Sequence, residues 1–225
     1  MENREYTKVI AYVKERIAKG ELHSGEKLPT ERELAEVLSV GRYSIREAIR
    51  IMDALGMIES RQGSGNYLIA NIEKSLIESM ELMLLLKEID YSQISKLRRA
   101  IELYTYDCAF QQMSDSDLKE LADIREGMGN SIGDEKVLLD KKFHDKITEG
   151  SGNTLIISIM ASLSSVCRRQ IEEVITNSGP ETAQQLMKVH EDMLRGLVIK
   201  DLSLGIQAIN RHYDLIDSQV SHENN

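Results

Sequence analysis

Hydrophobic residues recur at helical spacing from the start of the chain. Val9, Val13 and Ile17 lie four residues apart, with polar residues between them, and Gly20 follows the last turn of the run. Apolar positions at this spacing are typical of a helix with one buried face, and glycine commonly ends such a helix. The pattern therefore predicts a first helix over residues 6–19.

Two more helices are predicted before residue 56. Thr30 and Glu33 have the spacing of a capping box, in which each side chain accepts a hydrogen bond from the other residue's backbone amide. This pair marks the start of a second helix that reaches about Leu38. After a short turn at Gly41, a third helix is predicted over residues 42–55.

A hairpin is predicted after the third helix. The segments MIESR at residues 57–61 and NYLI at residues 66–69 read as strands, and the glycine-rich segment 62–65 lies between them. Three helices followed by a hairpin is the order of a winged helix-turn-helix domain. The alternative interpretation is a small helical cap with an incidental hairpin.

Beyond residue 70 the pattern is helical almost throughout and contains no internal repeat. Polar breaks rich in glycine separate segments predicted as helices over residues 72–88, 92–111, 115–128, 134–149, 154–176, 181–199 and 202–219. We therefore predict a mainly α fold, with a winged helix-turn-helix domain at residues 1–70 and an all-α helical bundle at residues 71–225. The apolar run 80–86 is expected to be core or a dimer seam.

Composition indicates a globular protein that stays in the cytoplasm. Hydrophobic residues make up 41% of the 225 positions and charged residues 29%. The first residues, MENREYTK, are charged where a secretory signal would be apolar, and no apolar run approaches the roughly 18 residues needed to cross a membrane. Cys108 and Cys167 form no CxxC pair and are expected to be reduced.

The distribution of charge singles out the third predicted helix. The net charge is −9, but residues 1–70 hold equal numbers of basic and acidic side chains, so the excess of acid lies in residues 71–225. Within the first domain, segment 39–50 contains three arginines and one glutamate. A short basic helix of this kind is suited to the phosphate backbone of DNA.

The third helix has the features of a DNA-recognition helix. Arg42, Arg46 and Arg50 lie four residues apart on one face, and the first two belong to the turns that reach base edges in the major groove. The guanidinium group of arginine matches the O6 and N7 atoms of guanine. Ser44 can contact phosphate or a base. The alternative is an arginine face that only meets solvent.

Four segments around this helix resemble the GntR family of bacterial regulators. They are GEKLPTERELA from residue 25, VGRYSIREAI from residue 40, GMI from residue 56 and RQGSG from residue 61. The resemblance implies DNA contacts from four side chains and a glycine at the wing tip, namely Arg32, Arg42, Ser44, Arg46 and Gly63. One departure is Gly41, where the family usually has serine or threonine, so a hydroxyl contact to phosphate is missing there.

Three histidines and an aspartate of the second domain lie at positions that could bring their side chains together. Asp140 and His144 are four residues apart and share one helical face, whereas His190 and His212 fall on two consecutive predicted helices. An antiparallel pair of such helices would bring both imidazoles to a similar height. This donor set suits zinc, nickel or manganese. Taken singly, a histidine in such a position is more often a hydrogen-bonded core or surface residue than a metal ligand.

The second domain resembles the ligand domain of the FadR branch of the GntR family, known as the FCD domain. The similarity lies in DKKFH from residue 140, HEDML from residue 190, Asp201, His212 and the segment RRAIE from residue 98. It implies that Asp140, His144, His190 and His212 hold a divalent metal ion, for which we predict zinc first, and that a small organic acid completes the coordination. Gly196 and Gly205 replace alanines that are usual in the family.

The resemblance also implies a mechanism. Family members act as homodimers on pseudo-palindromic operator DNA, and those that bind long acyl thioesters lack the full metal-binding set. Arg98 is predicted to bind the carboxylate of the effector; the alternative is a salt bridge with Glu102, one turn away. Two other functions stay open, a metal-dependent hydrolase or lyase tethered to DNA and a regulator with a purely structural metal. No acid–base pair or nucleophile motif accompanies the cluster, so we predict that the chain is not an enzyme.

Overall fold

The computed structural model describes residues 5–69 and 71–222, the last three of these by their backbone alone. The chain divides into two compact units, residues 1–78 and residues 79–225. The domain boundary after residue 70 that the sequence predicts stays a prediction. Each unit is described by itself.

The first unit contains three helices followed by a two-stranded antiparallel hairpin. Its elements are α1 (Glu5–Ala18), α2 (Glu31–Leu38), α3 (Arg42–Ala54), β1 (Ile58–Arg61) and β2 (Gly65–Leu68). In the hairpin, Ile58 pairs with Leu68 and Arg61 pairs with Gly65. The element order confirms the predicted winged helix-turn-helix fold.

Local sequence explains how α2 and α3 begin. The Thr30 side chain accepts a hydrogen bond from the Glu33 amide at 3.3 Å, and the Thr30 amide donates to Glu33 Oε2 at 2.8 Å, so the predicted capping box is present. Helix α3 begins after Gly41, which has no side chain to cap the first amides. The amides at the start of α3 are therefore not satisfied by their own N-cap residue.

One hydrophobic core holds the first unit together. It is built from the inward faces of the three helices and from the hairpin, and its buried members are Val9, Val13, Leu22, Leu28, Leu34, Val40, Ile45, Ala48, Ile49, Met52, Ile58 and Leu68. Burial of each large aliphatic side chain stabilises the fold by about 1.5–3 kcal/mol. The core therefore fixes which face of α3 points outward.

Every regular element from residue 71 to residue 222 in the described chain is a helix. These helices are α4 (Glu73–Leu85), α5 (Tyr91–Gln112), α6 (Asp115–Asn130), α7 (Gly133–Glu149), α8 (Thr154–Val166), α9 (Arg168–Asn177), α10 (Pro180–Val198) and α11 (Leu202–His222). The predicted mainly α fold class is thus confirmed. In the described part of the chain, no helix is long and apolar enough to span a membrane.

One predicted helix is two helices in the structure. Residues 154–176 were expected to form a single helix, but the chain turns at Cys167, where α8 ends and α9 begins. Segment 166–168 contains neither glycine nor proline, so the local sequence does not mark this break. Packing explains it, because α8 contacts α5 and α7 whereas α9 contacts α7 and α11.

Both cysteines are free thiols, as predicted.

Two glycines allow close packing between α5, α10 and α11. The Tyr106 ring is completely buried, and its hydroxyl donates a hydrogen bond to the Met193 carbonyl at 2.6 Å. A Cβ atom added at Gly196 would lie 2.6 Å from that hydroxyl oxygen, and one added at Gly205 would lie 1.9 Å from it. The two glycines therefore form the space that the tyrosine ring occupies.

Candidate functional sites

The outer face of α3 carries the arginines predicted to read DNA. Ile45 and Met52 lie on the inner face and are 0% exposed. Arg42, Arg46 and Arg50 are all exposed on the outer side of the helix. Since the core holds the inner face in place, these three guanidinium groups are presented outward from a rigid support.

Three of the side chains predicted to contact DNA lie beside glutamates in the structure. Arg46 Nε lies 2.9 Å from Glu31 Oε2 and Ser44 Oγ donates to Glu5 Oε2 at 3.1 Å, while Arg32 Nε is 4.0 Å from the Glu36 carboxylate. Exposed pairs of this kind are worth only about 0–1 kcal/mol. They can be exchanged for phosphate or base contacts at little cost.

The tip of the hairpin is shaped by glycine. Gly63 has φ +72°, a left-handed conformation that residues with a Cβ rarely adopt, and no atom would lie within 4 Å of an added Cβ. Behind the tip, the Arg61 guanidinium lies 4.4 Å from the centre of the Tyr67 ring. The wing therefore has a position without a side chain at its tip and an arginine, supported by an aromatic ring, directly beside the turn.

In the second unit, α7, α10 and α11 bring the predicted metal ligands together. His144 Nε2 and His190 Nε2 are 3.2 Å apart, and Asp140 Oδ1 is 3.2 Å from His190 Nε2. The ring of His212 lies 4.7 Å from that of His144 and 4.9 Å from that of His190, centre to centre. All four side chains are buried. One nitrogen from each of the three imidazoles falls within 4.8 Å of the others.

Hydrogen bonds decide which nitrogen atoms face the centre of this cluster. His190 Nδ1 lies 2.7 Å from the Leu186 carbonyl, which can only accept, so His190 carries its proton there. His144 Nδ1 is hydrogen bonded to the Glu102 carboxylate in the same way. With both Nδ1 protons directed away, the Nε2 atoms of His144 and His190 face each other at 3.2 Å, so one cation, either a proton or a metal ion, is needed between them.

A third buried nitrogen points to the same conclusion. His212 is 3% exposed, and its Nδ1 atom has no hydrogen-bond partner among the described residues. A buried polar atom without a partner costs about 1–3 kcal/mol. Three imidazoles and the Asp140 carboxylate converge on one point and offer the nitrogen and oxygen ligands that a divalent cation takes, so the residues fit such an ion.

The cluster holds one group that a metal ion would have to deprotonate and two that suit it as they are. Burial lowers the pKa of His144, but the Glu102 carboxylate outweighs burial and raises this pKa, so metal binding at His144 displaces a proton. Burial raises the pKa of the Glu102 carboxyl, but the charge of His144 and the hydrogen bond with it outweigh burial and leave this pKa at about 2. Burial and the two neighbouring imidazoles hold the pKa of His212 well below its usual value. Near neutral pH, Glu102 is thus an anion and His212 a neutral ligand.

Sequence reasoning missed the part that Glu102 plays. Its side chain is completely buried; one carboxylate oxygen contacts His144, and the other accepts a hydrogen bond from the Tyr213 hydroxyl at 2.7 Å. Among the described residues Glu102 is paired with His144, and the suggested salt bridge with Arg98 does not form. The spacing of Arg98 and Glu102 in the sequence pointed to Glu102, but it did not show that the partner of Glu102 is His144.

A cavity opens beside the histidine cluster. Its volume is about 210 Å³, and its lining includes Arg98, Asp140, His144, Ser164 and Arg168. Arg98 is only 5% exposed, and its Nε atom has no hydrogen-bond partner in the described chain. The structure therefore places the predicted effector-binding arginine in the same cavity as two of the predicted metal ligands.

Comparison with protein families matches both units. Residues 5–68 match the family described as bacterial regulatory proteins, gntR family, and residues 93–215 match the FCD domain. The two matches cover both candidate sites.

Two curated regulators are similar over most of the chain. The HTH-type transcriptional regulator LutR of Bacillus subtilis is 29% identical over 210 residues, covering 91% of this chain and 96% of LutR. The Exu regulon transcriptional regulator of Escherichia coli is 25% identical over 221 residues, covering 94% of this chain and 82% of that regulator. Both are named as transcriptional regulators.

Solved structures share the fold. Streptococcus agalactiae GntR has a TM-score of 0.65 at 23% identity and covers 96% of this chain and 98% of its own. The E. coli protein McbR/YncC has a TM-score of 0.55 at 16% identity, with coverage of 98% and 99%.

The family matches identify a DNA-binding transcriptional regulator and not an enzyme. This chain belongs to the GntR family of bacterial regulators, in the branch that carries an FCD domain.

Proposed function

We propose that this regulator senses a small organic acid through a divalent metal ion held by Asp140, His144, His190 and His212. Zinc is the first choice of metal, with nickel or manganese as alternatives. The observation that carries the proposal is the convergence of buried electron-pair donors, with two Nε2 atoms 3.2 Å apart and both Nδ1 protons directed elsewhere. A bound metal would supply an open coordination position for an anionic oxygen.

The cavity supports a small anionic effector. Its volume of about 210 Å³ is below the roughly 300–1,000 Å³ of pockets for drug-sized ligands. A buried guanidinium without an ion pair is costly, and a carboxylate placed between the metal and Arg98 would compensate it by a charge-assisted hydrogen bond. These properties favour a short organic acid over a long acyl chain.

On the DNA side, the proposed contacts are those at the outer face of α3, on α2 and at the wing, namely Arg32, Arg42, Ser44, Arg46 and Gly63. We propose a homodimer that places two such surfaces on a pseudo-palindromic operator in the cytoplasm. The effector would alter operator affinity only if it prefers one arrangement of the dimer.

Operator binding with and without metal tests this proposal. Genomic fragments selected by the zinc-loaded protein are titrated with the protein in the presence of short hydroxy, mono- and dicarboxylic acids. At least one acid should change operator affinity about fivefold or more, and the response should vanish after chelation or in Arg98→Gln. Arg169→Gln serves as the control that keeps the response, because Arg169 is exposed, pairs with Glu173 and does not line the cavity.

Two results would contradict the proposal. If no acid changes operator affinity in either direction, the sensing function is wrong for those acids. If chelation lowers the melting temperature while every acid leaves the melting temperature and operator affinity unmoved, the metal is purely structural.

Glu102 is expected to be a positioning residue for the metal. Glu102→Gln keeps the shape but removes the charge that fixes the His144 tautomer, so zinc affinity should fall about 10–100-fold. Nitrogen-detected NMR of the metal-free protein should show the His144 proton redistributed between its two ring nitrogens. Tyr213→Phe removes only the second hydrogen bond to Glu102 and should have a smaller effect. Unchanged zinc affinity and an unchanged tautomer in Glu102→Gln would refute this role.

Arg42 is expected to provide sequence discrimination. Arg42→Ala should lose about 1–3 kcal/mol of binding to the selected operator and much less on random duplex, because a guanidinium that reads guanine contributes only at the right base. Fluorescence anisotropy on both duplexes at one salt concentration measures the difference. Arg169→Ala, which removes an exposed arginine of the second unit, is the charge-matched control. Equal losses on the two duplexes would show that Arg42 contacts only phosphate.

A further inference from the structure

The outer face of α3 carries an aromatic side chain that the predicted DNA contacts leave out. Tyr43 is 80% exposed in the first turn of the helix. Tyr43, Arg46 and Arg50 follow the i, i+3, i+7 spacing of one helical face. The buried residues Ile45 and Met52 lie on the opposite face. The outward stripe therefore begins with an aromatic ring and continues with two arginines.

Tyr43 differs in its exposure from the other tyrosines of the first unit. Tyr6, Tyr12 and Tyr67 are each half-buried, and the hydroxyls of the last two contact Arg16 and Ser64. Tyr43 forms no hydrogen bond or ring contact within the described residues. A large side chain exposed without packing on its own chain is typical of a surface that meets a partner.

Tyr43 is also better placed for this than its neighbour Ser44. The Ser44 side chain is half-buried, and its hydroxyl is engaged by Glu5 Oε2 at 3.1 Å. Arg42 and Tyr43 are the exposed residues of the first turn, the part of a recognition helix that reaches base edges. The apolar ring thus lies where the bases of a bound duplex would be.

We propose that Tyr43 reads a thymine in each operator half-site by packing its ring against the C5-methyl group. Apolar side chains recognise thymine in the major groove through this methyl group, which cytosine and uracil lack. A tyrosine ring offers a broad apolar surface with few rotatable bonds, so little conformational entropy is lost on contact. The inference rests on the proposed placement of α3 in the major groove and adds a base-reading residue to it.

A double-mutant cycle between the ring and the methyl group tests the inference. The operator is first selected from random duplexes with the zinc-loaded wild-type protein, and each thymine of one half-site is then replaced by uracil. At one position, loss of the methyl group should weaken wild-type binding about fourfold. Tyr43→Phe should show the same loss, whereas Tyr43→Ala should bind both duplexes equally. With 5-methylcytosine at that position, wild type and Tyr43→Phe should bind more tightly than with cytosine, whereas Tyr43→Ala should bind the two duplexes equally.

The possible outcomes separate the inference from the function on which it rests. If the wild-type protein selects no sequence, the proposed DNA reading itself fails. If it selects a sequence but every uracil replacement costs wild type and Tyr43→Ala the same, Tyr43 does not read thymine. If Tyr43→Phe loses as much as Tyr43→Ala on operator and random duplex alike, the phenol hydroxyl contacts phosphate and the inference is overturned.

Discussion

Replacing His190 by alanine is expected to lower the zinc affinity of the protein by at least about a hundredfold. Even outer-shell changes cost about 10–100-fold in metal affinity, and this change removes a ligand outright. His190 is 1% exposed, and its Nε2 atom is near both Asp140 Oδ1 and His144 Nε2. Competition with a zinc chelator of known affinity measures the change.

His23 supplies the matched control for this prediction. It is an exposed histidine in the first unit, beside Glu26, so His23→Ala should bind zinc as wild type does. Operator binding by metal-free His190→Ala should stay close to that of metal-free wild type, because the DNA-reading residues belong to the other unit. Retention of zinc at wild-type affinity by His190→Ala would show that the ion binds elsewhere.

Gly205→Ala is expected to destabilise the second unit by about 3 kcal/mol or more. The new Cβ would lie 1.9 Å from the hydroxyl oxygen of Tyr106 and 2.1 Å from its Cζ atom. The ring cannot move away without losing its hydrogen bond to the Met193 carbonyl. Thermal and urea unfolding measure the loss. Gly129→Ala is the control, because its Cβ would meet only the end of Met187 at 3.8 Å and should stabilise its helix by up to about 1 kcal/mol.

A double mutant shows whether the clash with Tyr106 is the cause. Tyr106→Ala alone should cost about 3–5 kcal/mol as a cavity forms. In that background, Gly205→Ala should cost less than about 1 kcal/mol, since the space it needs is vacant. If the glycine replacement costs the same with and without the tyrosine ring, the packing explanation is wrong.

The first unit was predictable to a large extent because its signals are local. A capping box at Thr30 and Glu33 and the glycine-rich turn of the hairpin act within a few residues, and both appear as expected. The exposed stripe of α3 also follows from helical spacing. What the sequence does not show is which polar residue of the first turn is free, because the contact between Ser44 and Glu5 joins residues 39 positions apart.

The second unit was less predictable because its decisive contacts are long-range. Helical spacing alone places Asp140 above His144, but the pairing of His144 with Glu102 spans 42 residues and depends on how α5 packs on α7. The break at Cys167 likewise has no local signal. The sequence shows Gly205 as a weak point in a helix, whereas the reason for it is the Tyr106 ring of another helix.

X-ray absorption spectroscopy of the zinc-loaded protein shows directly whether three imidazoles and one carboxylate of the second unit hold a divalent ion. We expect one tightly bound zinc per chain, with nitrogen and oxygen ligands at about 2.0–2.1 Å and outer scattering from three imidazole rings. The account would be contradicted if no zinc survives dialysis, or if the spectrum shows sulfur at about 2.3 Å, which would place the ion at a cysteine.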